Sequence, residues 1–231
     1  MLERRPETVL AAKVLRDASG KLAELERALA ARGIALERVD RNHLDRLSEG
    51  GVHQGFVIEV AAAPEFSIGD FEALVVERGR ALRLLVLDGV EDPRNLGACL
   101  RTADAAGIDA VVVPRDHSAK LTATAVKTST GAAETVPVFR APNLARCLSW
   151  LKEAGVWVVG ADAEAPKSLY QTKLEPPVAV VLGGEGRGVR RLTRDLCDEL
   201  VYIPMAGSVE SLNVSVATGI VLFELLRQAP K

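Results

Sequence analysis

The sequence predicts an α/β domain built on a parallel sheet, with a smaller domain before it. Short apolar runs recur from residue 82 onward, and helix-like segments lie between most of them. Hydrophobic residues make up 48% of the 231 residues and aromatic residues only 4%, so the apolar content is mostly Val, Leu and Ala. Continuous Val/Leu runs that alternate with helices are typical of a parallel sheet covered on both faces.

The elements of the larger domain, residues 81–231, can be predicted in chain order. The predicted strands are the apolar runs 82–87, 110–113, 136–139, 156–159, 178–182 and 200–203. The predicted helices are 95–106, 122–132, 143–154 and 189–197, and a last helical pattern covers 221–227. Because ligands of such sheets bind beyond the carboxyl ends of the strands, the loops that follow the apolar runs are the candidate site.

The first 62 residues are predicted to form a separate small domain. Residues 22–30 have helical spacing and end before Gly33, while residues 54–60 have the composition of a strand. Residues 63–80 contain Pro64, Gly69 and mixed charge, which indicates a linker. A region this short holds too little apolar chain for a large core.

Composition excludes several classes of protein. The net charge of −2 provides no global basic field for nucleic acid, although a local basic patch can still bind one. No apolar run approaches the roughly 18 residues of a membrane span, and residues 1–7 lack the apolar core of a signal peptide. Cys99, Cys147 and Cys197 fit neither a zinc pattern nor a disulfide framework, which predicts buried thiols, no metal and a cytoplasmic protein.

The loop after the first run of the large domain opens a helix. Asp92 and Pro93 have the residue types of a helix cap and a first helical position. Asn95 and Arg101 are six residues apart, a spacing that does not put them on one face of a regular helix. They converge only if Asn95 lies in an irregular entry turn, and the alternative is a capping Asn and a solvated Arg.

A glycine-rich loop follows the run 178–182. Gly183, Gly184, Gly186 and Gly188 allow close backbone approach, and Glu185 lies among them. The loop is neither a P-loop nor a dinucleotide-binding G-x-G-x-x-G turn. A glycine turn without a ligand is the alternative.

The third loop leads from the run 200–203 into the last helix. Ala206 and Gly207 leave room for a flat ligand, and Ser211, Asn213 and Ser215 open the helix. Ser and Asn favour helix N-caps, so a capped terminal helix without a site is the alternative.

Together these segments resemble a known family. The motifs Asn95-x-Gly-x-x-x-Arg101, Gly184-Glu185-x-x-Gly188 and Ser211-Leu-Asn-Val-Ser215 are similar, in this order, to those of the SpoU/TrmH family of RNA 2′-O-methyltransferases. The longer strings around them resemble its RlmB-type branch, which methylates a guanosine ribose of 23S ribosomal RNA. The likeness covers nearly the whole chain, including the segment Val52-His-Gln-Gly55.

The resemblance implies an architecture, a cofactor and partners. It implies a SPOUT-type parallel sheet with a C-terminal trefoil knot, S-adenosylmethionine as cofactor, ribosomal RNA as substrate and a homodimer. It also implies that residues 1–62 bind RNA. Compared with that branch, the small domain is expected to be shortened and to lack its first strand.

The resemblance also implies roles for individual residues. The implied catalytic residues are Asn95, Arg101, Glu185, Ser211 and Asn213, and the implied cofactor-binding residues are Gly183, Gly184, Ile203, Met205 and Leu212. The family assigns Arg101 a part in activating the ribose hydroxyl, but a guanidinium hardly deprotonates, so charge stabilisation is the other possibility. Arginines at 187, 190, 191 and 194 form either an RNA-facing patch or a solvated helix face.

Other functions remain open on the sequence. The substrate could be tRNA or another ribosomal RNA site, and the chain could be an RNA-binding homologue that has lost catalysis. A nucleotide-dependent oxidoreductase is disfavoured because the first strand-to-helix turn lacks the glycine fingerprint.

Overall fold

The chain forms two compact units, Met1–Pro64 and Glu65–Lys231. The computed structural model describes residues 8–17, 21–48, 51–61, 66–184 and 188–229, with the backbone alone for 21–23. None of the helices within these ranges is long and apolar enough to cross a membrane.

The first unit is a three-stranded sheet with two helices. Its elements are β1 Val9–Leu15, α1 Lys21–Ala30, β2 Leu36–Val39, α2 Arg41–Leu47 and β3 Phe56–Val60. The central β1 pairs in parallel with β2 and antiparallel with β3. The predicted helix at 22–30 and strand at 54–60 are confirmed as α1 and β3.

The first strand described in this unit is β1, and the expectation that the small domain lacks the opening strand of its family stays a prediction. In β1 the side chains of Val9, Ala12 and Val14 are buried. The run Val9–Leu15 contains two Ala and a Lys, which are depleted in strands, so its composition gives little signal. Pairing on both sides makes it a strand nonetheless.

Part of the predicted linker is a helix, so the prediction of a linker over 63–80 is wrong there. Helix α3 spans Ile68–Arg78 and begins at a capping box in which Ser67 and Asp70 bind each other's backbone amides. Its buried Phe71 stacks on Phe139, with 4.5 Å between the ring centroids. The sequence does not predict this helix, because it contains Gly69 and mixed charges and buries only Phe71 and Val75.

The second unit alternates strands and helices. Its elements are β4 Arg83–Asp88, α4 Pro93–Ala105, β5 Ala110–Pro114, α5 Ala123–Ser129, β6 Val138–Ala141, α6 Leu144–Glu153, β7 Trp157–Ala161, β8 Lys167–Ser168, β9 Val178–Gly183, α7 Arg191–Arg194, β10 Glu199–Tyr202 and α8 Val214–Gln228. All six predicted strands are present. Helices α5 and α7 are shorter than predicted. Helix α5 ends at Ser129 because the next residue, Thr130, has a left-handed backbone conformation, and α7 has only one turn.

The strands of this unit form one parallel sheet of seven, in the order β6-β5-β4-β9-β7-β10-β8. Successive side chains of β4 point to opposite faces. Leu85 and Leu87 pack with α4 and α8, while Leu84 and Val86 pack with α3 and α6. The predicted parallel sheet with two covered faces is therefore confirmed. The trefoil knot stays a prediction.

The parallel arrangement places the loops of interest together. Pro114, Asp88 and Gly183 end the neighbouring strands β5, β4 and β9, and the register pairs Asp88 with Gly183. Carboxyl ends of parallel strands share one edge, so the first loop and the glycine-rich loop leave the sheet side by side.

Candidate active site

A cavity of about 470 Å³ lies at the carboxyl ends of β4 and β9. This volume is within the usual range for small-molecule sites. Its lining comes from the end of β4, the start of α4, the glycine-rich loop and the start of α8: Asp88, Gly89, Val90, Glu91, Asp92, Asn95, Gly184, Gly188, Arg190 and Val214. Two predicted site residues, Asn95 and Gly184, therefore meet in one cavity.

The buried Asp88 ties both limbs of the glycine-rich loop to β4. Its carbonyl oxygen accepts the backbone N–H of Gly184 at 2.9 Å, and its carboxylate Oδ2 accepts the backbone N–H of Arg190 at 3.0 Å. The Arg190 guanidinium lies 3.5 Å from Oδ1, which accepts no hydrogen bond from the residues that the structure describes. Asp88 is not among the site residues predicted from the sequence, although a carboxylate at the end of an apolar run is a signal that could have indicated it.

The glycines of the loop are required by the chain itself. A Cβ on Gly184 would lie 2.1 Å from the carbonyl oxygen of Gly89, and one on Gly183 would lie 1.8 Å from the carbonyl carbon of Gly188. The glycines were predicted to allow close approach of a backbone to a ligand. In the structure they allow close packing of the loop against Gly89, which follows β4, and of the two limbs of the loop against each other. Glu185, Gly186 and Arg187 lie outside the described residues.

The first and third motifs meet through two asparagines. The Asn213 side-chain amide donates to Asn95 Oδ1 at 3.1 Å. Asn213 is also the N-cap of α8, and its Oδ1 accepts the backbone N–H of Ser215 at 2.9 Å. Ser211 is exposed, two residues before this cap. One amide side chain thus fixes the start of α8 and links it to α4.

Arg101 does not share a helix face with Asn95. Helix α4 is regular from Pro93, with Asp92 as its cap, so Asn95 does not lie in an irregular entry turn. Six residues of α-helix rotate a side chain to about 120° from its starting direction. Arg101 is exposed, and within the described residues its side chain has no recorded hydrogen bond or ion pair. Asn95 and Arg101 of one chain therefore do not converge.

The segment after β10 carries the other cofactor-binding candidates. Ile203 packs against the core, Leu212 is half-buried and Met205 is 38% exposed. Within the described residues, 204–212 make no backbone–backbone hydrogen bond. Free peptide groups beside small and apolar side chains suit a ligand with an adenine ring and a methionine tail. On this observation the residues fit S-adenosylmethionine.

The arginines that follow the glycine-rich loop are paired. Arg190 faces Asp88, Arg191 lies 3.8 Å from Asp195, and Arg194 lies 3.0 Å from Asp162. The carboxylates of Asp88 and Asp162, which are 0% and 10% exposed, thus compensate Arg190 and Arg194, whereas the exposed pair of Arg191 with Asp195 is screened by water and salt.

The cysteines have unreactive thiols. Burial raises the pKa of Cys99 to about 11 and the pKa values of Cys147 and Cys197 to about 12. Cys99 of α4 contacts the Thr218 hydroxyl of α8 at 3.3 Å, so it packs the helices behind the site. In the described part of the chain no group of His, Cys, Asp or Glu side chains could hold a metal ion.

Two known families match the chain. The SpoU rRNA Methylase family matches residues 83–223. The RNA 2′-O ribose methyltransferase substrate binding family matches residues 2–66.

Individual proteins match over nearly the whole chain. A protein of Salmonella typhi named 23S rRNA (guanosine-2′-O-)-methyltransferase RlmB is 51% identical over 229 residues, which cover 99% of this chain and 94% of that protein. The protein of the same name from Escherichia coli K12 is 50% identical over the same shares. Among solved structures, the SpoU methyltransferase AviRb from Streptomyces viridochromogenes in complex with AdoMet superposes with a TM-score of 0.79 at 25% identity, covering 98% of this chain and 87% of that one.

Proposed function

The chain belongs to the SpoU rRNA Methylase family, and on that premise we propose that it methylates the ribose 2′-hydroxyl of a guanosine in 23S ribosomal RNA. S-adenosylmethionine is the methyl donor. One observation carries this proposal: about half of the residues are identical to proteins named for this reaction, over 99% of the chain. The three motif loops support it, because residues from all three come together at one edge of the sheet.

The cofactor is held by backbone and apolar groups. Within the described part of the chain, the peptide groups of 204–212 make no backbone–backbone hydrogen bond, and Ile203, Met205 and Leu212 offer apolar surface. Gly183 and Gly184 shape the opposite wall, since their lack of side chains lets β4 and the glycine-rich loop pack closely. When bound, S-adenosylmethionine supplies an electrophilic methyl group.

The polar side chains act on the ribose. The 2′-hydroxyl is a weak nucleophile, and negative charge develops on its oxygen as its proton passes to solvent water, before the bond to the methyl group forms and the bond from that methyl group to the sulfonium sulfur breaks. We assign Arg101 to stabilising that charge, because a guanidinium stays protonated while an exposed one can reach an RNA substrate. Asn95 and Asn213 position the start of α8, and Ser211 and Glu185 complete the proposed polar set.

The proposed active form is a homodimer formed through α8. Val216, Phe223 and Leu226 are 51%, 50% and 38% exposed, and the half-buried Ile220 lies between them. These spacings put an apolar stripe on the outer side of a helix whose inner side is already buried in the core. A two-fold contact would cover that stripe in both copies.

The first unit is proposed to bind the RNA. Its support is the substrate-binding family that matches residues 2–66. We also propose that the protein works in the cytoplasm, where free thiols such as those of Cys99, Cys147 and Cys197 stay reduced.

The decisive test is the methylation pattern of ribosomal RNA. Cells that lack the protein should lose one guanosine 2′-O-methyl group from 23S RNA, and expression of the intact chain should restore it. A matched strain that expresses the Arg101→Ala variant should not regain the mark. If the methylation pattern of 23S RNA is unchanged and a 2′-O-methyl group is lost from tRNA, the substrate is tRNA and not 23S RNA.

A further inference from the structure

A loop beside the cavity has no role in the function proposed above. Residues 115–121, here called the braced loop, follow β5 at the carboxyl edge of the sheet. The backbone N–H of Ala119 donates to the carbonyl oxygen of Val90 at 2.8 Å, and Val90 lines the cavity. The braced loop is therefore a direct neighbour of the candidate active site.

One arginine holds the loop in place. The Arg140 guanidinium, at the end of β6, donates to the carbonyl oxygens of Ala119 and Arg115 at 3.1 and 2.8 Å and to the Ser118 hydroxyl at 3.4 Å. The Ser118 hydroxyl in turn donates to the carbonyl oxygen of Pro114. These bonds join four backbone and side-chain groups of one short segment, so its outer side chains are displayed from a fixed backbone.

The displayed side chains are basic. Arg115, His117 and Lys120 are all exposed. His117 has a φ of 55°, a left-handed conformation that is uncommon for a residue other than glycine. Such conformations persist where the surroundings fix them and concentrate at functional sites.

Arg115 and Lys120 differ from Arg194, which follows the glycine-rich loop. In the described ranges Lys120 has no recorded ion pair, whereas Arg194 lies 3.0 Å from Asp162, whose side chain is only 10% exposed. Arg115 lies 3.7 Å from Asp116, but both are exposed, and such a pair is screened by water and salt. The braced loop thus offers uncompensated positive charge at this edge of the sheet.

We infer that the braced loop binds phosphates of the RNA backbone next to the nucleotide in the active site, an inference that rests on the proposed function. A nucleotide within an RNA strand has a phosphate on each side, and the loop lies one hydrogen bond from the cavity lining. Arg and Lys side chains bind phosphates without reading the base, so the loop positions the strand and leaves choice of sequence to other contacts. A rigid display is useful because less side-chain and loop freedom is lost on binding.

The test compares two double variants of the full-length protein with equal loss of charge. The loop variant is Arg115→Gln with Lys120→Gln. The control is Arg80→Gln with Lys173→Gln, which removes two exposed cations from chain segments that lead into the amino ends of β4 and β9. Fluorescence anisotropy with a labelled 23S RNA fragment is measured over a series of salt concentrations, and calorimetry gives the affinity for S-adenosylmethionine.

The loop variant should bind the fragment about tenfold more weakly, and the slope of log affinity against log salt should fall by about 1.5. The control should keep the wild-type slope, and all three proteins should bind S-adenosylmethionine equally. A loop variant with wild-type affinity and slope would overturn the inference. If the double loop variant also loses cofactor affinity, Lys120→Gln alone decides, because that side chain has no recorded hydrogen bond or ion pair in the described chain.

Two further outcomes separate this inference from its premise. If the wild type neither binds nor methylates the fragment, the proposed function fails. If the wild type methylates it and the loop variant does so with the same KM, only the role of the loop fails. Binding of poly-glutamate that depends on the loop, with RNA binding unchanged, would overturn the inference in favour of an acidic protein partner.

Discussion

Gly184 shows how one missing side chain supports the site. The space where a Cβ would be is filled by the carbonyl group of Gly89, so Gly184→Ala should push the glycine-rich loop away from β4. We expect both a lower unfolding temperature and a loss of S-adenosylmethionine affinity. Gly69→Ala in α3 is the control, since its added methyl group would make only an ordinary contact, 3.8 Å from the Ser67 hydroxyl oxygen. A stable Gly184→Ala protein with normal calorimetric affinity would refute this packing argument.

Arg101 provides the second prediction for a single residue. Because the exposed Arg101 is assigned to charge on the RNA, Arg101→Ala should keep cofactor affinity while single-turnover methyl transfer falls by about a hundredfold or more. Arg94→Ala, which also removes an exposed arginine of α4, serves as control and should retain most of the rate. Normal methyl transfer by Arg101→Ala would remove the residue from the mechanism.

The sequence predicts residues of the site better than it predicts their contacts. Asn95, Gly184 and Asn213 come from local motifs, and the fold brings them together because parallel strands end at one edge. The contact between Asn213 and Asn95 joins residues 118 positions apart, so no local pattern contains it. Asp88 was missed for the same reason, as its partner Arg190 lies 102 residues away.

At the scale of elements, burial decides which ones the sequence reveals. Strands β4, β5 and β9 are buried on both faces and appear as unbroken apolar runs. The two-residue β8 and the helix α3 bury little, so their composition resembles that of a loop. The braced loop depends on Arg140, whose side chain reaches 21 to 25 residues back along the chain.

The end of α8 is anchored by a buried carboxylate. Glu224 accepts two hydrogen bonds from Arg227, at 2.8 and 2.7 Å, and one from Gln228, which itself binds the backbone of Thr172 and Leu174. The Arg227 hydrogen bonds lower the pKa of Glu224 against the opposing effect of burial. A carboxyl with a lowered folded pKa adds stability above its unfolded pKa of about 4.3, and the stability is lost as the pH falls through the folded value.

This anchor makes the stability of α8 depend on pH. Glu224→Gln should destabilise the protein at pH 7 by about 1–3 kcal/mol, measured by denaturant unfolding. The difference from wild type should shrink below about pH 4, where the wild-type carboxyl also becomes neutral. Glu153→Gln, at an exposed position of α6, should change little at either pH. A difference that stays constant across this range would mean that packing, not charge, anchors the helix.

At the scale of the whole molecule, α8 is expected to join two copies. Phe223 lies in the middle of the exposed apolar stripe, so Phe223→Arg would bury a charge without a partner in a dimer but would be solvated in a monomer. Light scattering at micromolar concentration should show half the wild-type mass for this variant. Val76→Arg, at an 80% exposed position of α3, should remain a dimer. A monomeric wild type would contradict the proposed assembly.

We expect the first unit to bind RNA and the second unit to bind the cofactor. Every residue assigned to S-adenosylmethionine or to methyl transfer lies in Glu65–Lys231, whereas the substrate-binding family matches residues 2–66. Residues 62–231 alone should therefore bind S-adenosylmethionine with the affinity of the full chain, because the second unit has its own sheet and two core layers. Affinity for a 23S RNA fragment should fall, and the salt slope should become smaller as phosphate contacts of the first unit are lost.

Loop variants of the full chain and of residues 62–231 can separate the contribution of the braced loop to RNA affinity from that of the first unit. If the loop and the first unit each bind part of the RNA backbone, the shortened protein should keep a residual, salt-dependent affinity that Arg115→Gln with Lys120→Gln lowers by about a further tenfold. The same double change in the full chain should leave the contribution of the first unit intact, so the two losses should add in free energy if the two sites act independently. Gel-shift and cofactor titrations of the four proteins side by side measure this. Equal RNA binding by the full and shortened chains would place all substrate selection in the second unit.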